Sequence, residues 1–176
     1  MYKMKDNIMR NIRIEKITLN IGVGEPGEKL EKAIKLLNYI AKAKPIQTKT
    51  QKRIPDWGLR PNLEVACKVT VRGKKAVELL RNLLKAVDNK VLERKFDKEG
   101  NFGFGISEYI DIPGVDYKPE IGMSGLEVSV TLIRAGFRVK KRRIQSRKVP
   151  ASHRITKEEA IKFMEKEFGL VTGGEK

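Results

Sequence analysis

Residues 63–72, LEVACKVTVR, place a larger apolar side chain at every second position without a break, with polar residues and one alanine between them. Leu63, Val65, Cys67, Val69 and Val71 fall on one side; Glu64, Ala66, Lys68, Thr70 and Arg72 fall on the other. Unbroken period-2 alternation is a strand with one face in a core and one in water. A parallel strand buried on both faces would be apolar throughout. The chain must therefore build an antiparallel sheet that is wet on one side, with helices covering the other.

The rest of the sequence supplies the parts. In IRIEKITLNI (12–21), Ile12 and Ile14 alternate, then Ile17, Leu19 and Ile21 alternate in the opposite phase. A bulge near Glu15–Lys16 reconciles the two halves. Residues 28–43 form an amphipathic helix, with Leu30, Ala33, Ile34, Leu37 and Ile40 on one face and Pro45 stopping it. Residues 46–50 read as a short polar strand. Residues 74–87 form a second helix with Ala76, Leu80, Leu83, Leu84 and Val87 facing in. Phe102, Phe104 and Ile106 alternate with glycines in a strand that is expected to continue through Ile110 and Ile112. A loop covers 114–124, and Leu126, Val128, Val130 and Leu132 alternate again. In the last helix Thr156 and Glu159 make a capping box, Ile155 staples onto Ala160, and Gly169 closes the end. Ile161, Met164 and Phe168 line its inner face. The fold class is α+β: an antiparallel sheet with one polar side and helices packed on the other.

Charge narrows the function. The 176 residues carry 38 Lys or Arg against 22 Asp or Glu, a balance of +16. Such an excess repels itself unless an anionic partner is close. No apolar run approaches the roughly 18 residues that span a bilayer, and no segment reads as a basic amphipathic membrane helix. Nucleic acid is therefore the expected partner, with no membrane. The N-terminus lacks the apolar stretch of a secretory signal. A single cysteine, Cys67, rules out an internal disulfide framework and fits a core position in a reducing compartment.

Catalysis finds little support. GVGEPG (22–27) matches G-x-G-x-x-G between a strand and a helix. Glu25, however, would bring negative charge to a pyrophosphate. The following strand is too polar to be buried, and no acid stands at its end to hold a ribose. The plainer reading is a tight turn, with Glu25 and Pro26 starting the helix and acids at its positive end. His153 has no second histidine with which to hold a metal and is expected to add to a basic surface. Asp111 and Asp116 read as loop acids. No enzyme, cofactor or metal site is expected.

The polar face of the sheet is the better candidate. Thr18 and Asn20 share it with Lys68, Thr70 and Arg72. The middle segment adds Gln47, Lys49 and Gln51 if Ile46 packs inward. Glu64 is then the only carboxylate. Amides, hydroxyls and cations together neutralise phosphates and hydrogen-bond sugars and base edges. Beside this face lies QTKTQKRIPDWGLRPN (47–62), which contains the one tryptophan, Trp57, among Lys52, Arg53 and Arg60 and between Pro55 and Pro61. The indole either stacks on a nucleotide or folds back to hold the loop against its own domain. Residues 138–154 hold eight Lys or Arg and no acid. Arg138, Lys140, Lys141, Arg142, Arg143, Arg147 and Lys148 form an additional basic surface for RNA or a neighbouring protein, or a solvated stretch when the protein is free.

EKITLNIGVGE (15–25), CKVTVRG (67–73) and NFGFGISEYIDIPGVDY (101–117), in this order, resemble the family of large-subunit ribosomal protein five, which binds 5S ribosomal RNA. The resemblance covers roughly residues 8–170, and the 138–154 segment with its final helix is similar to archaeal and eukaryotic members. It implies one domain, residues 1–176, with an N-terminal arm (1–11), an extended loop (51–62), the basic segment and a tail (170–176). It implies a structural protein of cytoplasmic ribosomes that attaches 5S rRNA in the central protuberance. It places Asn20 and Thr70 at RNA-contact positions, with Thr18, Gln47, Lys49, Lys68 and Arg72 around them. Lys42-Ala43-Lys44-Pro45 departs from the Gly-Gln-Lys-Pro of many members, so Lys44 or Lys42 would reach phosphate in place of the glutamine. The loop with Lys52, Arg53, Trp57 and Arg60 would contact the peptidyl-site tRNA. Further implied partners are large-subunit rRNA and ribosomal proteins of the central protuberance and small-subunit head. Against this stand two alternatives: an RNA-processing or nucleotide-using enzyme resting on the glycine pattern, and a free-standing regulatory RNA binder.

Overall fold

The computed structural model describes residues 7–173. Its elements in chain order are β1 (Ile12–Gly22), α1 (Glu28–Ala41), β2 (Ile46–Lys49), β3 (Glu64–Arg72), α2 (Lys74–Lys85), β4 (Lys90–Leu92), β5 (Phe102–Ile106), β6 (Leu126–Arg134), α3 (Arg138–Lys141), α4 (Lys157–Phe168) and β7 (Val171–Gly173). Five strands form an antiparallel sheet in the order β2-β3-β1-β6-β5. The α+β expectation holds.

The alternation of β3 is realised. Cys67, Val69 and Val71 are buried, while Lys68, Thr70 and Arg72 are exposed. The β1 bulge is also present, because the register with β6 shifts between Ile14 and Lys16. It lets Ile17, Leu19 and Ile21 meet the same core as Val69 and Val71. Helices α1 and α2 cover this inner face. Leu30, Leu36, Leu37, Leu80, Leu83 and Leu84 are almost fully buried, each worth about 1.5–3 kcal/mol of transfer free energy.

Helix α4 closes the core from the end of β6. Thr156 Oγ1 accepts from Glu159 N at 3.4 Å, and Thr156 N donates to Glu159 Oε2 at 3.1 Å, which completes the capping box. Ile155 and Ala160 are buried as the staple pair. Gly100 sits against them with φ of +79°. A Cβ there would lie 2.7 Å from Ile155 Cγ2 and 3.0 Å from Ala160 Cβ, so only glycine lets α4 approach.

Three expectations need correction. The strand after Phe102 ends at Ile106, and Tyr109–Asp111 form a 3-10 turn. The Tyr109 ring is fully buried, its hydroxyl accepting from Lys118 N at 3.0 Å, and Ile112 is buried without strand pairing. Helix α1 begins at Glu28 rather than at Glu25–Pro26, with Gly27 at its N-cap. Ion pairs Glu25–Lys29 (2.6 Å) and Glu28–Lys32 (2.7 Å) then span its start. The expected tail is structured as far as it is described. Leu170 is buried and β7 pairs in parallel with β4, with Lys90 opposite Val171. Residues 1–6 of the arm and 174–176 of the tail lie outside the described residues.

Candidate nucleic-acid interface

The outer face is a lattice of side chains set by strand register. Lys68 lies directly opposite Asn20, and Asn20 opposite Glu127. The next row is Thr70, Thr18 and Ser129; the row beyond is Arg72, Lys16 and Thr131. Opposed residues project to the same side. Thr18, Asn20, Lys68, Thr70 and Arg72 are thus brought together as the sequence implies.

Strand β2 joins in a different register. Ile46 lies opposite Lys68, and Gln47 opposite Cys67. The condition that Ile46 packs inward fails: it is on the outer face and 65% exposed. Gln47 is correspondingly on the inner side, and Thr48, opposite Ala66, takes its place. A register shift between Thr48 and Lys49 returns Lys49 to the outer face opposite Glu64. Gln51 follows the strand, at the exposed start of the loop. Lys44 is exposed in the turn between α1 and β2, after Lys42 at φ of 47° caps the helix by donating to Asn38 O at 2.9 Å.

Glu64 is not the only carboxylate of the face. Glu15, in the bulge, is held by Arg72 at 3.7 Å and by Lys141. Glu64 is 3.4 Å from Lys49. Glu127 accepts from Asn20 Nδ2 at 3.3 Å and has no described Lys or Arg as an ion-pair partner. Lys16, Thr48, Ser129 and Glu127 were all missed in reading the sequence. The alternation of 126–132 does carry Glu127 and Ser129 outward, but only the pairing of β6 with β1 puts them on this face.

The 51–62 loop is a closed finger. Thr50 N donates to Leu63 O and Asn62 N to Thr50 O, each at 2.9 Å. Near the tip Ile54 and Leu59 exchange two N–H···O bonds of 3.0 Å around the Pro55–Trp57 turn, with Gly58 at φ of 65°. Trp57 is 72% exposed, so the fold-back alternative is excluded. Lys52, Arg53 and Arg60 are exposed around it.

The 138–154 segment folds back on the domain. Arg147 N donates to Val139 O at 3.2 Å, Ser146 Oγ to Lys140 O at 3.1 Å, and Val149 is buried. Lys140 is tied to Glu99 (3.1 Å) and Lys141 to Glu15. Arg142 Nε donates to Gln145 O at 2.8 Å. Arg138, Arg143, Arg147 and Lys148 are exposed. His153 departs from expectation. It is half-buried, its Nε2 donating to Ala135 O at 2.8 Å beside the Phe137 ring. Arg134, almost fully buried, anchors the region. Its guanidinium donates to Arg10 O (2.9 Å), Arg154 O (2.8 Å), His153 O (3.3 Å) and Glu159 Oε1 (2.9 Å).

Two family models together match most of the chain. One described as ribosomal protein L5 matches residues 7–60, and one for the C-terminus of the same ribosomal family matches residues 64–163. The chain belongs to the uL5 family of large-subunit ribosomal proteins. It is similar to the large ribosomal subunit protein uL5 of Nanoarchaeum equitans, at 53% identity over 92% of this chain and 96% of that one. The uL5 of Methanosphaera stadtmanae is 45% identical over 93% of this chain and 98% of its own. That of Sulfolobus acidocaldarius is 44% identical over 94% and 93%. Membership makes this chain a structural ribosomal protein and not an enzyme. The glycine pattern at 22–27 is accordingly a turn between β1 and α1.

Proposed function

We propose that this uL5 protein holds 5S rRNA on the outer face of its sheet and attaches it to the large subunit in the central protuberance. The observation that carries this is the three-row lattice Lys68–Asn20, Thr70–Thr18 and Arg72–Lys16. It sets amides and hydroxyls between cations on a rigid surface. Cations fix phosphates, while amides and hydroxyls reach sugars and base edges. Lys49, Thr48 and Lys44 extend the surface toward the sheet edge; Gln47 does not belong to it.

The finger at 51–62 is proposed to contact the peptidyl-site tRNA. An exposed indole flanked by Arg53, Arg60 and Lys52 offers a stacking plane with phosphate ligands beside it. Pro55, Pro61 and the Ile54–Leu59 pair limit the loop's freedom before binding, which lowers the entropy lost. Arg138, Arg143, Arg147 and Lys148 are proposed to face large-subunit rRNA, with neighbouring ribosomal proteins, including those of the small-subunit head, around the domain.

A filter-binding titration against the organism's own 5S rRNA and an unrelated structured RNA, at low and high salt, tests the sheet. The expected result is a 5S preference that survives high salt. Equal, steeply salt-dependent binding to both would reduce the interaction to charge alone and overturn the reading.

A further inference from the structure

Glu127 is out of place on a surface for phosphates. It is exposed, it lacks a described cation partner, and it stands near one end of the sheet's outer face, on β6 between β1 and β5. A phosphate passing there would be repelled. Its neighbours are equally specific. On one side is Asn20, whose Nδ2 donates to Glu127 Oε2 at 3.3 Å. On the other, directly opposite, is Gly105. A Cβ built on Gly105, or on Gly22 beside Asn20, meets nothing within 4 Å. The two glycines leave a bare floor in an open trough of about 510 Å³, rimmed by Asn20, Glu127, Ser107 and Ser124.

We infer that Glu127 and Asn20 form a recognition site for an unpaired guanine base of the bound RNA. The inference rests on the sheet being the RNA-binding face. A carboxylate only accepts hydrogen bonds, and the second Nδ2 proton of Asn20 remains free to donate. Along the row the protein thus presents acceptor, acceptor, donor. The Watson–Crick edge of guanine presents the complement: N2–H and N1–H donate, and O6 accepts. Adenine and cytosine would each set a ring-nitrogen acceptor against the carboxylate. Uracil offers one donor between two acceptors. A carboxylate lone pair facing an acceptor in a desolvated contact is costly, so guanine alone satisfies the pair. The bare glycine floor lets the flat base lie close to the sheet. Lys68, next in the row, is placed for the phosphate that follows.

The sign of one substitution separates this from a surface charge. Glu127→Gln keeps the shape and removes the negative charge. Were Glu127 only a repulsive charge, the variant would bind 5S rRNA more tightly. A guanine reader loses an acceptor, and binding should weaken about tenfold. Gly105→Val, which adds bulk to the floor and changes no charge, should weaken it comparably. Both proteins should keep the wild-type melting transition. The decisive measurement is interference mapping with 5S rRNA carrying inosine at random guanosine positions, since inosine lacks the N2 amine. The full-length wild-type protein should show a guanosine where inosine weakens binding. Glu127→Gln should lose that interference alone. Unchanged or tighter binding by Glu127→Gln with an unaltered map overturns the inference, while a wild-type 5S preference leaves the proposed function standing. Absence of that preference in the wild type overturns both.

Discussion

The buried guanidinium of Arg134, on β6, donates from Nη2 to Glu159 Oε1 at 2.9 Å, in the first turn of α4. The same carboxylate closes the capping box through Oε2. One side chain thus ties the sheet, the end of the basic segment and the last helix together. Arg134→Ala removes a long buried side chain and leaves the carbonyls of Arg10, His153 and Arg154 without their donor. A loss of about 3 kcal/mol is expected in urea unfolding. Arg134→Lys should recover only part, because an ammonium cannot span four acceptors in the guanidinium plane. A loss within experimental error for Arg134→Ala would show that the clasp contributes nothing to stability.

Glu159 also links this clasp to pH. Its partial burial opposes ionisation, but the Thr156 backbone N–H and the Arg134 guanidinium outweigh that and hold its carboxyl below 4.5. The folded state therefore binds the proton less readily than the unfolded chain. Its contribution is complete above the ordinary carboxylate value and is lost as pH falls through the lowered one. From roughly pH 5 to pH 3 the wild-type melting temperature should fall more steeply than that of Glu159→Gln. Parallel curves would remove Glu159 from the acid response.

Cys67 is fully buried on the inner face, and burial pushes its thiol up to about 11. The native protein should resist a thiol reagent near pH 8 and react stoichiometrically in denaturant. Here the sign is reversed. The contribution to stability is present at neutral pH and is lost as pH rises from the unfolded thiol's value through about 11. Rapid labelling of the native state would contradict the position of β3.

Trp57 should fluoresce as a solvated indole in the free protein, with little shift on unfolding, because it is 72% exposed. Trp57→Ala should change stability by less than about 0.5 kcal/mol and spare 5S binding. It should weaken the tRNA contact by about 1–3 kcal/mol in a subunit-binding assay. A large loss of 5S affinity would mean that the finger belongs to the 5S site.

Thr18 and Thr70 stand opposite each other, one row from Asn20 and Lys68. Replacing Asn20 and Thr70 together by alanine should leave the melting transition in place and weaken 5S binding at every salt concentration. Unchanged affinity would take the outer face out of RNA recognition.

Features set by neighbours in the chain were legible in the sequence. The two faces of β3 follow from period-2 alternation, which needs no knowledge of the partner strand. The β1 bulge shows as a phase change between Ile14 and Ile17, and the α4 start as Thr156 three residues before Glu159. The outer-face position of Thr18, Asn20, Lys68, Thr70 and Arg72 comes from the same local geometry. What lies across a strand is a different matter. A one-residue choice of register puts Thr48 rather than Gln47 on the outer face and leaves Ile46 in solvent, and four residues at a sheet edge carry too little pattern to fix it. The parallel pairing of β4 with β7 joins segments some eighty residues apart. Arg134 reads locally as one more cation of a basic chain, and only the convergence of the backbone at Arg10 and at His153–Arg154 with the Glu159 carboxylate makes it a buried anchor. Glu127 likewise reads as an ordinary polar position until β6 is laid beside β1. Local period determines which side of a strand is wet; only the tertiary structure decides which wet side chains meet, because that depends on contacts between residues far apart in the chain.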